Sequence, residues 1–335
     1  MRISAVIPLY NGAEFIEQAI NSILEQKREA DEIIVVDDGS RDNGADIVKS
    51  ISLKNPKIIL LSKENGGQGS ARNRGVRHAT GDFIAFLDQD DFWYEQHLSV
   101  LERPFLENPD RRLAYTYGNL DRISRNGTMI CHNFLNHITK GEHPKETLTG
   151  CLETDMFVLP GATLILKSAF EKVGGFDERM TGYEDDDLFL RIFCGCFKSC
   201  FINEAVTAWR IYPGSTSYSP KMWTSRAIYF ENLVARFPDK SDEGRHIVRD
   251  IVAPRFANMA ISDLKTALSR NDKNAIDAGL SLLRRYIKFL RGSAQWKMKF
   301  RIAMTFFRFN FLGILLQLFK RKNETNPISR GLDEP

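Results

Sequence analysis

Four times within its first ninety or so residues the chain passes through a short apolar run, turns on polar or glycine residues, and enters a helical segment. The runs cover residues 4–10, 33–36, 58–61 and 83–87. The segment 13–26 shows helical spacing through Phe15, Ile16, Ala19, Ile20, Ile23 and Leu24, and shorter helices are expected at 45–50 and 70–78. Continuous apolar runs of this length, without alternation, read as strands buried on both faces. Strand and helix alternating in this way predict an α/β fold, a mostly parallel sheet with helices on both faces. Ligands bind such sheets at the carboxyl ends of the strands.

Each of those ends carries polar or glycine residues: Pro8 to Tyr10, Asp37-Asp38-Gly39, Asn65-Gly66-Gly67 and Asp88-Gln89-Asp90-Asp91. Strand side chains alternate faces, so Asp88 and Asp90 are expected to point the same way. Two carboxylates aimed together repel unless a cation or a proton joins them. Oxygen donors suit Mg²⁺ or Mn²⁺, whose shells are often completed by substrate phosphates. The plainer alternative is a polar turn capping a helix that begins near Trp93; with Asp88 and Asp90 given to a ligand, Asp91 is expected to cap that helix. Tyr10 offers a face for stacking on a base, Asp38 can accept the imide proton of a uracil or thymine ring, and Arg72 can pair with phosphate. Neither G-x-G-x-x-G nor a P-loop is present.

Val6-Ile-Pro-Leu-Tyr-Asn11, Val35-Val-Asp-Asp-Gly-Ser40, Asn65-Gly-Gly with Ala71-Arg-Asn73, and Phe86-Leu-Asp-Gln-Asp-Asp91 together resemble glycosyltransferase family 2. The resemblance covers residues 3–95 and continues in weaker form to about Tyr218. It implies a GT-A fold with a Rossmann-like sheet, and an inverting transfer of a sugar from a nucleotide donor, UDP-linked, to a glycan or lipid-linked acceptor. It also implies that Pro8, Tyr10, Asp38, Asn65 and Arg72 bind nucleotide, that Asp88 faces ribose and sugar, and that Asp90 holds Mn²⁺ or Mg²⁺. In Gly182-Tyr-Glu184-Asp185-Asp186-Asp187, the Glu184-Asp185 pair matches the family's base motif, with Asp185 as the catalytic candidate. Four acids at a helix start are otherwise accounted for by the helix dipole. Inversion needs a base opposite the leaving diphosphate, and crowded carboxylates raise one another's pKa towards that use. Arg210 and Ser215 fit the family segment that closes over the diphosphate. Tyr212 stands where the family usually has histidine, and it is left out of the metal set. A sugar nucleotidyltransferase would carry a glycine-rich basic signature after the first strand, which is missing. A non-catalytic nucleotide-sugar-binding scaffold would have no use for four retained acids.

The whole-chain charge of +3 does not suggest nucleic acid as a partner. Its distribution is uneven. Between Asp277 and Glu324 stand eleven basic residues and no acid, so the remainder nets −8. Trp296, Phe300, Phe306, Phe307 and an apolar stretch at 309–319 are interleaved with them. This composition predicts a helix lying on an anionic membrane surface; docking on the catalytic domain or on a second subunit, in a homo-oligomer, would also suit it. No uncharged run reaches the roughly 18–20 residues of a spanning helix. The start of the chain lacks a charged-then-apolar leader, and five cysteines is an odd number; both lead to the expectation of reduced thiols in the cytoplasm, at the inner face of the cell membrane. Cys194, Cys196 and Cys200 read as free thiols at a helix-to-strand turn. Three segments follow: 1–110 for the donor, 111–220 for the acceptor, and a helical 221–335 with breaks expected at Pro238 and Pro254.

Overall fold

The computed structural model describes residues 1–107, 110–138, 143–213, 221–238, 240–242 and 244–309. The chain divides into two compact units, Met1–Asn232 and Leu233–Pro335.

The first unit opens with β1 (Ile3–Leu9), α1 (Ile16–Leu24), β2 (Glu32–Asp37), α2 (Gly44–Ser52), β3 (Ile58–Ser62), α3 (Gln68–His78) and β4 (Phe83–Phe86). This is the alternation that the sequence predicts. It continues with β5 (Phe92–Trp93), α4 (His97–Glu107), β6 (Leu113–Ser124), β7 (Met129–Cys131), α5 (Leu135–Ile138), α6 (Leu148–Glu153), β8 (Thr163–Leu166), α7 (Lys167–Lys172), α8 (Glu184–Cys194), β9 (Lys198–Ile211) and the greater part of α9 (Lys221–Arg236), within which the division at Asn232 falls. The strands form one sheet in the order β3-β2-β1-β4-β8-β6-β9-β5, with β7 beside β6. The pairs β1/β2, β2/β3, β1/β4 and β6/β9 are parallel, while β8 runs antiparallel to both β4 and β6.

The order reverses at β1. The chain builds outward through β2 and β3, then returns to the other side of β1 for β4. The loops after β1 and β4 therefore part, leaving a crevice at the carboxyl ends. Every residue of β1 and β2 is buried, and each fully buried Val, Leu or Ile contributes roughly 1.5–3 kcal/mol. Pro8 lies in this central strand, where its missing N–H is tolerated because pairing with β4 already ends at Val6 and Phe86. At Gly75 a Cβ would stand 2.4 Å from Val6 Cγ1. Glycine there lets α3 lie directly on β1, which fixes the side chains of its first turns over the crevice.

One local expectation fails. No helix begins near Trp93; Phe92 and Trp93 form β5, paired antiparallel with Ala208 and Thr207 of β9, and α4 starts at His97. The long strand β9 supplies this partner, and neighbouring residues alone do not reveal it.

The second unit holds a π-helical turn at Ile247–Val252, α10 (Ala253–Ser269), α11 (Lys273–Ile287) and α12 (Gly292–Arg308). Pro254 stands one residue into α10, at the junction where the π-helical turn passes into regular α-helix. The apolar stretch predicted at 309–319 falls, beyond Phe309, outside the described residues. Among the described residues no helix is long and apolar enough to cross a membrane.

Candidate active site

β4 ends at Phe86, so Asp88 to Asp91 occupy a turn and strand alternation does not aim them. Their partners do. Gln68 and Arg72 lie four residues apart on α3 and so share one face. Both reach Asp88 Oδ1, Gln68 Nε2 at 2.8 Å and Arg72 Nη2 at 2.5 Å. Asp90 turns instead towards the end of β9, where the Tyr212 hydroxyl donates to its Oδ2 at 3.0 Å. Burial and the charge of Asp88 push the Asp90 carboxyl up to about 6. Burial and the charge of Asp90 also push up the Tyr212 hydroxyl, which therefore keeps its proton to donate. Asp91 is buried and does not cap a following helix: its Oδ1 accepts the Arg210 backbone N–H at 2.7 Å. Burial, then the charges of Asp90 and Asp88, hold its carboxyl well above the ordinary range.

Arg210 is buried beneath this turn. Its Nε donates to Asp90 O at 2.7 Å, Nη1 to Arg125 O at 2.6 Å, and Nη2 to Gln18 Oε1 at 2.8 Å; its guanidinium lies 4.6 Å from the centre of the Phe15 ring. The predicted diphosphate contact from Arg210 would compete with these bonds. Ser215, its predicted companion, lies outside the described residues.

The glycine loop is organised around Asp38. Its Oδ1 accepts from Lys63 Nζ at 2.6 Å and from the Gly66 N–H at 2.9 Å, and its Oδ2 from the Gly67 N–H at 2.8 Å. An ionised carboxylate offers about four acceptor positions, so about one remains for a ligand donor. Asn65 Nδ2 closes the loop on Asp38 O. Gly67, at φ +89°, sits just before α3 in a conformation that other residues adopt only under strain. Tyr10 is 45% exposed, which leaves its ring open for stacking. Its backbone is clamped by Gln89, whose Oε1 accepts the Tyr10 N–H and whose Nε2 donates to Tyr10 O. Gln89 thus ties the end of β1 to the acidic turn.

The second acidic cluster opens α8. Gly182 at φ +103° and Tyr183 at φ +63° precede it; a Cβ on Gly182 would overlap Met222 Sδ. A tyrosine in the left-handed region costs of order 1 kcal/mol or more and persists only where its surroundings fix it. Three of the four acids have assigned work. Glu184 pairs with Arg72 Nη1 at 3.2 Å and accepts the Gly182 N–H. Asp186 accepts the Met156 N–H at 2.9 Å, and Asp187 pairs with Arg191 Nε at 2.7 Å. Asp185 takes part in no ion pair among the described residues; it accepts only the neighbouring Asp186 N–H. Burial, and then the charges of Glu184 and Asp186, hold its carboxyl well above the ordinary range, against the pull of the helix dipole and of Arg72.

Arg72 joins the two clusters. It is 2% exposed, spans from Asp88 to Glu184, and lies 5.2 Å from the centre of the Phe176 ring. Burial opposes its charge, but Asp88 and Glu184 outweigh that, so the guanidinium stays charged. The residues predicted at Pro8, Tyr10, Asp38, Asn65, Arg72 and Asp88 thus gather at one sheet edge, and Arg72 connects that edge to Glu184 beside Asp185. Gln68, Gln89 and the Tyr212 hydroxyl belong to the site without having been assigned a role from sequence. The spacing of Gln68 and Arg72 on one helix face was the only available signal. Among the described residues no group of three or more His, Cys, Asp or Glu side chains is arranged to enclose a metal ion; the five cysteines are free thiols.

The model of "Glycosyl transferase family 2" matches residues 4–174, half of the chain. The chain belongs to glycosyl transferase family 2. Its fold is the GT-A type. The amylovoran biosynthesis glycosyltransferase AmsB of Erwinia amylovora is 34% identical over 195 residues, covering 56% of this chain and 62% of that protein. The chain spans less than two thirds of its first curated relatives, 31% of a Rickettsia conorii glycosyltransferase among them. S. aureus TarS 1–349 in complex with UDP-GlcNAc shares the fold at a TM-score of 0.65 and 17% identity, covering 96% of this chain and 92% of that one. The mannosyltransferase PcManGT of Pyrobaculum calidifontis, in complex with GDP-Man and Mn²⁺, does so at 0.51 and 18%, covering 96% and 86%.

Proposed function

We propose that this family 2 chain is an inverting glycosyltransferase that moves a sugar from a UDP-linked donor to a hydroxyl of a glycan or lipid-linked acceptor in polysaccharide assembly. The observation that carries the reading is Asp185: a carboxylate without an ion pair among the described residues, of raised basicity, beside a glutamate tied through Arg72 to the donor side. The likeness to AmsB supports a polysaccharide product, and the likeness to TarS with UDP-GlcNAc supports a UDP-linked donor.

In this reading Asp185 takes the proton of the acceptor hydroxyl as its oxygen bonds to the anomeric carbon. The bond from that carbon to the diphosphate oxygen breaks on the opposite face, its electron pair leaving with UDP. Tyr10 stacks on the base and the open position of Asp38 receives its imide N–H. Asp88 faces the ribose and sugar. Arg72 and Glu184 act as positioning residues, since each is already held by the other. Arg210 holds the acidic turn from beneath.

The donor set fits Mn²⁺ or Mg²⁺. Asp90 is a hard oxygen ligand, and burial together with the charge of Asp88 raises its pKa, a cost that a bound cation would relieve. Bound at Asp90, such an ion would supply charge neutralisation for the leaving diphosphate. Mn²⁺ beside GDP-Man in PcManGT supports this assignment. Tyr212 orients Asp90 through its hydroxyl and remains protonated.

The test is a screen of nucleotide sugars, with and without Mn²⁺, for thermal stabilisation and donor turnover, followed by NMR of the anomeric configuration of the product. Transfer from an α-linked UDP-sugar is expected to give a β-linked product. Retention of configuration would contradict the base role of Asp185, and UDP binding without any turnover would favour a non-catalytic nucleotide-sugar-binding scaffold.

A further inference from the structure

The last described helix, α12, presents two apolar faces. Met298, Thr305 and Phe306 are buried. Trp296, Phe300, Met304 and Phe307 are 77%, 63%, 48% and 63% exposed. Their spacing of four, four and three residues is that of one helix stripe, and at about 100° per residue they fall within an arc of roughly 80°. Single exposed apolar residues are ordinary on a soluble surface, whereas four large ones in a row mark an interaction surface.

The flanks of this arc identify the partner. Lys297, Arg301 and Arg308 follow it on one side, at about 100–140° from Trp296, and Lys299 stands on the other, about 60° away. All four are exposed. No acid occurs between Asp277 and Glu324 to balance them. A protein partner for an apolar stripe would not require basic residues on both flanks with no acid among them. An anionic bilayer would: aromatic and apolar side chains enter the headgroup boundary, while lysine and arginine meet lipid phosphates on either side.

We propose that α12 is an in-plane membrane-docking helix that seats the face Trp296–Phe300–Met304–Phe307 in an anionic lipid surface. This places the contact on described residues upstream of the 309–319 stretch that composition alone suggests. It is independent of the donor, the metal and the base, so its failure would leave the proposed transfer untouched.

The experiment is sedimentation of the full chain with vesicles of phosphatidylcholine alone or mixed with phosphatidylglycerol, alongside the tryptophan emission spectrum, to which Trp296 contributes as one of four tryptophans. Wild-type protein should pellet with the mixed vesicles, with blue-shifted emission, and less so as salt is raised. Trp296→Ser/Phe300→Ser/Phe307→Ser should lose at least roughly tenfold in partitioning, and so should Lys297→Gln/Lys299→Gln/Arg308→Gln, since each basic residue near an anionic surface strengthens binding several-fold. These positions are exposed, and an unchanged thermal midpoint would show that both variants fold. Undiminished pelleting of either variant, or equal pelleting with phosphatidylcholine alone, would overturn the proposal. So would a wild-type dimer that becomes monomeric in the serine variant while neither binds vesicles, an outcome that assigns the stripe to a second copy of the chain.

Discussion

The two acidic clusters, Asp88 to Asp91 and Glu184 to Asp187, look alike in sequence and are held differently. In the first, each carboxylate is engaged from another element: Asp88 by α3, Asp90 by Tyr212 and Asp91 by β9. In the second, three acids are engaged and, among the described residues, Asp185 has only a neighbouring N–H. Raised pKa values occur in both clusters, at Asp90, Asp91 and Asp185, so what separates them is tethering: a carboxylate bonded from another element is fixed in place, whereas one that accepts only its neighbour's N–H is left to take a proton. The difference lies in partners, not in residue type.

The largest effect should come from cutting the link between them. Arg72→Met leaves Glu184 buried and Asp88 half-buried without their cation, and loss of a buried ionic partner costs about 3–5 kcal/mol. Urea unfolding should show a drop of that order; a loss below about 1 kcal/mol would mean the two clusters are not coupled through this guanidinium. Next, Asp90→Asn should abolish the dependence of UDP affinity on Mn²⁺, which calorimetry would show as equal Kd values with and without metal. A preserved dependence would place the ion elsewhere. The smallest effect belongs to Tyr212→Phe, which removes one hydrogen bond to a carboxylate. A loss of about 1–2 kcal/mol, split between stability and Mn²⁺-dependent UDP affinity, is expected, and no change in either would remove Tyr212 from the site.

Local patterning was enough to read the first four strands, the intervening helices and the acids at their ends, because burial on both faces leaves an uninterrupted apolar run. Contacts over long sequence distances were not legible. Asp91 looked like a helix cap because its partner, the Arg210 backbone, is 119 residues away. Arg72 looked like a phosphate ligand because Glu184 is 112 residues away. Tyr212 was set aside as a poor metal ligand, which its chemistry supports, but its bond to Asp90 depends on where β9 ends. In α12, the 4-4-3 spacing was present in the sequence; that this face is the uncovered one emerges only from the packing of Met298 and Phe306.

The most direct test of the division between the clusters is Asp185→Asn, assayed for sugar transfer and for UDP binding in Mn²⁺. The folded protein raises the Asp185 pKa, so its ionised form weakens the fold as pH rises through that value. The neutral amide should therefore keep or raise the thermal midpoint near neutral pH, ruling out misfolding as the cause of any lost activity. In wild type, kcat/KM should rise with pH through an apparent pKa above the ordinary carboxylate range. The variant is expected to lose about 10²–10⁴-fold in transfer while binding UDP like wild type. Transfer near the wild-type rate, or UDP affinity lost together with transfer, would contradict the assignment of Asp185 as the base.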